Sequence, residues 1–176
     1  SGAYGEGTST QLTNSTIIGT NAKGIKDGAW DRGEATAVGS NSEAYAYSTA
    51  FGSQAKANTH SYSTAVGYFA DANASYATAV GKSAHAGTES VAMGINADAS
   101  YSYGVAIGKS AALKDHHGVA LGYEAWAYDS AVAIGILAKT KGTNAIAIGC
   151  RAVAPTSGLV IGAAADNSIL SGQFND

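Results

Sequence analysis

A four-residue signature, apolar-or-Thr, Ala, apolar, Gly, recurs along this 176-residue chain at steps of 13 to 15 residues. It ends at Gly39, Gly52, Gly67, Gly81, Gly94, Gly108, Gly122, Gly135, Gly149 and Gly162, and a weaker copy, Thr16-Ile17-Ile18-Gly19, precedes these by 20 residues. Repetition at a fixed short period is the mark of a stacked architecture. After most of these glycines comes a second pattern, Ala-x-Ala, as at Ala55 and Ala57, Ala70 and Ala72, Ala84 and Ala86, Ala97 and Ala99, Ala125 and Ala127, and Ala152 and Ala154. Both patterns alternate with period two, as strands do and helices do not. A period this short has no room for a helical crossover. Each copy is therefore predicted to be two short strands and two turns, stacked as one coil of a β-solenoid whose strands pair with their equivalents one coil away.

Composition narrows the function classes. With 45% hydrophobic residues and only 13% charged, the chain is no disordered tail, and 23 Gly beside a single Pro exclude a collagen. A net charge of −3 offers no basic surface, so no nucleic acid partner is expected. One cysteine, Cys150, can form neither an intrachain disulfide nor a cysteine zinc site, which leaves packing to supply the stability. The chain contains no run of eighteen apolar residues and its first residues resemble no signal peptide, so no membrane contact by this segment is expected.

With each motif glycine set as position 0, the columns report on their surroundings. Position −1 reads Ile18, Val38, Phe51, Val66, Val80, Met93, Ile107, Leu121, Ile134, Ile148, Ile161, and is expected to be buried. Position −3, on the same face, changes from Thr36, Thr49, Thr64 and Thr78 to Val91, Val105, Val119, Val132, Ile146 and Leu159, which predicts a core that becomes more apolar toward the C-terminus. Alanines at +3 and +5 are expected to oppose these large side chains across a thin two-sheet core. Position +4 is mostly charged and faces water. Position −2 holds Ala37, Ala50, Ala65, Ala79, Ala92, Ala106, Ala120, Ala133 and Ala147 without a charge, which predicts an outward face pressed against other chains in an obligate oligomer.

The units Ser90-Val91-Ala92-Met93-Gly94, Ala131-Val132-Ala133-Ile134-Gly135 and Asn144-Ala145-Ile146-Ala147-Ile148-Gly149 resemble the repeats of YadA-like head domains of trimeric autotransporter adhesins. The resemblance covers roughly residues 14 to 170. It implies an all-β fold, a left-handed parallel β-roll of about eleven coils, with three chains intertwined as a homotrimer on the bacterial cell surface. It also implies an outer-membrane anchor supplied by other segments, and a host extracellular-matrix protein or surface glycan as partner. The expected organisation is a lead-in at 1–13, the roll at 14–172 with an inserted loop at 24–34, and a tail at 173–176.

No catalytic constellation is legible and no cofactor is expected. His60, His85, His116 and His117 differ in phase, so no metal site is predicted, and the glycines recur at turn period without the helix that a phosphate loop needs. Tyrosine carries more information. Tyr47, Tyr62, Tyr76 and Tyr103 share position −5, and the first three stand on successive coils, about 4.8 Å apart, as an aromatic ladder. The insertion presents Trp30 and Arg32, residue types favoured in binding hot spots, although Trp30 could equally cap the end of the stack. Together with Trp126 these are the candidate ligand-binding residues, and the expected function is adhesion without catalysis. A trimeric phage tail-fibre segment, structural or receptor-binding, is the second reading, kept open by the C-terminal sequence Asn167-Ser168-Ile169-Leu170, which does not resemble an adhesin neck.

Overall fold

A computed structural model of the chain describes residues 2–5, 9–10, 14–25, 33–57 and 62–163. Every regular element among them is a strand of two or three residues. Twelve strands, from Gly2–Tyr4 to Leu159–Ile161, form a first sheet; eleven, from Ser9–Thr10 to Val153–Ala154, form a second. Each coil contributes one strand to each sheet, and each pairs in parallel with the equivalent strand of the next coil. Columns therefore stack on themselves, as in Val105 on Val119, Ala106 on Ala120 and Ile107 on Leu121. This is the parallel β-solenoid that the period requires.

The stack also reaches further toward the N-terminus than the repeat count suggests. Gly2–Tyr4 pairs with Thr16–Ile18 and Ser9–Thr10 with Lys23 and Gly24, within the segment taken as a lead-in. Its signal is Gly2-Ala3-Tyr4-Gly5, a degenerate copy of the signature in which Gly5 has φ +126°.

Two turns close each coil. At the first, the residue at +3 donates its N–H to the carbonyl of the motif glycine, as Ala97 does to Gly94 at 3.3 Å, with the +2 residue Asn96 at φ +55°. At the second, Ser48 donates to the Tyr45 carbonyl at 3.0 Å with Tyr47 at φ +59°. The motif glycines themselves lie at φ of +130° or more from Gly19 onward, where only glycine is comfortable.

The phase of the first sheet is the reverse of the expected one. The −2 alanines, Ala37, Ala50, Ala65, Ala79, Ala92, Ala106, Ala120, Ala133 and Ala147, are fully buried inside their own chain and cannot form an interface with another. The −1 and −3 columns point outward: Phe51, Met93, Ile107 and Ile161 are exposed, and the change from Thr to Val, Ile and Leu runs along the outer surface. The reason is volume. The alanines at +3 and +5 do point inward as expected, but two sheets closed by such short turns leave space only for small side chains on both sides. Small faces small.

Where the core admits a larger residue, its surroundings shrink. Leu113 takes a +5 position in place of Ala, and its side chain fills the volume that Cβ atoms at Gly104 and Gly118 would need. Replacing Leu113 by Ala should cost about 2 to 5 kcal/mol in urea unfolding, and adding Gly104→Ala to that variant should recover part of the loss by refilling the cavity. Corner hydroxyls bond the backbone between coils, as when Gly104 N–H donates to Ser90 Oγ at 3.1 Å while that hydroxyl donates to the Tyr101 carbonyl at 2.6 Å. No buried side-chain polar atom among the described residues lacks a partner.

Candidate functional site

The core is filled by its own side chains, so the surfaces available for function are the outer faces of the two sheets and the two corners. The first sheet presents the −1 and −3 columns, an apolar and threonine surface without a single charge from Thr16 to Ile161. The second presents position +4, where Lys23 and Glu43 form a cross-coil ion pair at 3.1 Å.

The tyrosine ladder forms at the second corner. Tyr47 and Tyr62 stack with ring centroids 5.3 Å apart and planes 8° apart; Tyr62 and Tyr76 repeat this at 5.4 Å and 4°. Glu89 occupies −5 on the next coil and interrupts the ladder, so Tyr103 stacks instead on His117 of the coil beyond it, at 5.4 Å. All four tyrosines are about half exposed and occupy left-handed backbone, with φ from +58° to +66°. Glu89, His117, Ser130, Asn144 and Ser157 adopt the same left-handed backbone on their coils, so the conformation belongs to the corner and the ring is what distinguishes these four.

His60 lies outside the described residues, and His116 and His117 have different partners. His116 accepts the Ser102 N–H through Nδ1 at 3.1 Å and meets the Tyr101 ring edge-on, whereas Nδ1 of His117 lies 3.4 Å from Asp129. Among the described residues no group of three His, Cys, Asp or Glu side chains could hold a metal. Cys150 is exposed. At the first corner, the Glu124 carboxylate hydrogen-bonds Tyr123 and raises its phenol above the ordinary tyrosine range.

Trp126 stands on the outer face of the second sheet between two lysines. Lys114 Nζ lies 4.5 Å from the ring centroid and Lys139 Nζ 4.1 Å, both within cation–π range. Beside it Trp126, Tyr128, Lys139, Thr140, Lys141 and Val153 line an open recess of about 450 Å³. Of this group the sequence offers Trp126 as a ligand-binding candidate and Tyr128 as part of the aromatic surface. The one sequence signal for the group is that position +6 is basic at Lys114 and Lys141, with Tyr128 between them, and basic on no other coil. Trp30 and Arg32 lie outside the described residues.

Four segments, 46–70, 61–84, 86–111 and 129–149, match the family model of the YadA head domain repeat (2 copies). No curated protein matches the chain.

Proposed function

Since four segments within residues 46–149 match the YadA head repeat, we propose that this chain forms the non-catalytic head of a trimeric adhesin on a bacterial surface, attaching to host matrix protein or cell-surface glycan. The observation that carries this reading is the outer face of the first sheet. Eleven successive coils place Ile, Val, Phe, Met or Leu at −1, beside Thr, Val, Ile or Leu at −3, over ten steps or about 48 Å. An uncharged strip that long is covered in a soluble assembly, and a second and third copy of the same strip around a common axis cover it. The interface is thus assigned to the −1 and −3 columns, leaving the second sheet and the tyrosine corner for partners.

Attachment is assigned to the ladder of Tyr47, Tyr62 and Tyr76. Flat rings held in register stack on a sugar or protein surface for about 0.5 to 1.5 kcal/mol each beyond area burial, and three copies per trimer add avidity. The test is an array of glycans and matrix proteins probed with the intact protein. Changing Tyr62 and Tyr76 to Ala should lower attachment to the array target about tenfold or more while the mass by light scattering stays that of a trimer. Attachment that survives the change removes the ladder from the binding surface; a monomeric mass for the natural chain overturns the assembly.

A further inference from the structure

We propose that the recess beside Trp126 is a binding site for an acidic sugar unit, one carrying a carboxylate or a sulfate. The inference rests on the adhesin reading in one respect, that the second sheet faces outward in the assembly.

Charge is the first argument. Along positions +4 and +6, the coils from Ala112 to Pro155 read Ala112, Lys114, Trp126, Tyr128, Lys139, Lys141, Val153, Pro155: three cations and no anion. Earlier in the stack the same columns mix the two signs, Lys23 and Lys56 standing among Glu43, Asp71 and Asp98, and the whole chain is net negative. The positive patch is therefore local, on a surface otherwise unsuited to anions.

Rigidity is the second. Lys139 and Lys141 flank the inward Thr140, which ends the strand Lys139–Thr140, and both face outward. Their backbones are fixed by N–H bonds to the Ala152 and Ala154 carbonyls, each at 2.8 Å. Thr140 Oγ1 accepts the Tyr128 N–H at 3.0 Å, tying the aromatic wall to the lysine strand. A site whose backbone is already in place loses little ordering entropy on binding.

Shape and chemistry are the third. The recess falls in the size range of small-molecule sites, about 300 to 1,000 Å³. Its walls pair apolar surface from Trp126, Tyr128 and Val153 with the ammonium groups of Lys139 and Lys141. An acidic sugar matches both halves, with its C–H face on the Tyr128 and Val153 surface and its anionic group at the ammoniums of Lys141 and of Lys139, which Trp126 holds 4.1 Å from its ring centroid. Lys114, held over the Trp126 ring from the preceding coil, adds a third charge at the rim. A nucleic acid strand fits less well, because it needs a basic track that continues along the stack, and this one ends after three coils.

The experiment uses the full chain and measures binding by calorimetry to three hexasaccharide probes: heparin-derived (sulfated), hyaluronan-derived (carboxylated) and dextran-derived (neutral). A single-stranded DNA oligonucleotide serves as a fourth probe. Binding to either acidic hexasaccharide, or both, and not to dextran is expected; because heparin carries carboxylates as well as sulfates, binding of heparin alone assigns the sulfate, and binding of hyaluronan shows that a carboxylate suffices. Affinity should fall with added salt. Lys139→Gln with Lys141→Gln should lower it about tenfold or more and flatten the salt dependence, while Lys139→Arg with Lys141→Arg retains it. Trp126→Ala should also weaken binding. Failure of both acidic probes, equal binding of dextran or DNA, or unchanged affinity in the glutamine variant would each overturn the proposal. Light scattering on the same samples keeps the two readings apart: a trimer that binds no acidic sugar sinks this inference alone, whereas a monomer that binds one sinks only the assembly.

Discussion

Replacing Gly94 by alanine is expected to destabilise the stack by about 3 kcal/mol or more. Gly94 lies at φ +134°, and a Cβ there would sit 2.5 Å from the Gly108 carbonyl oxygen and 2.7 Å from its carbon. Both obstacles are backbone, so no rotamer change relieves them. The coils are in direct contact at this corner, where Gly94 N–H donates to the Val80 carbonyl and Gly108 N–H to the Met93 carbonyl, each at 2.8 Å. Forcing them apart breaks those bonds above and below. Urea unfolding followed by circular dichroism reads the loss, and a midpoint equal to that of the unaltered chain would contradict the packing described.

A pair of adjacent substitutions should separate folding from assembly. Ala106 is fully buried between the sheets, so Ala106→Glu places an unpaired carboxylate in an alanine core and should prevent the chain from folding, at a cost of several kcal/mol. Ile107, one residue on, points the other way and is 39% exposed in the single chain. Ile107→Glu should leave the solenoid intact while placing three charges in the seam of the trimer, giving a folded monomer by circular dichroism and light scattering. A trimer that tolerates Ile107→Glu would show that the seam lies elsewhere; a folded Ala106→Glu chain would show that the first sheet has the opposite phase.

That second outcome is the one hydropathy alone favours, which explains why the sequence reading went astray there. Alternation along Val105-Ala106-Ile107 fixes that the two faces differ but not which is inside, because neither carries a charge once an assembly covers the outer one. Volume decides it. The inward alanines at +3 and +5 were read correctly, and a roll closed by four-residue turns has space opposite them only for more alanine. The repeat, the two strands per coil, the parallel stacking and the Tyr47, Tyr62, Tyr76 ladder were all legible, since each depends on spacing alone. The lysine cage around Trp126 is harder to read, because Lys114 lies at +6 while Trp126 and Lys139 lie at +4, and only the stacking of three coils brings them together.

Self-pairing columns make the molecule indifferent to how many coils it has. Each coil offers the next the same donors, acceptors and alanine surface that it receives, as the repeated pairing of Ala79, Ala92, Ala106 and Ala120 shows. Duplicating or deleting one coil in the gene would leave every remaining column in phase and change the height by a single strand spacing, about 4.8 Å. Reach above a surface is then adjustable in small increments by gain or loss of whole coils, without a new fold or a new interface at any step.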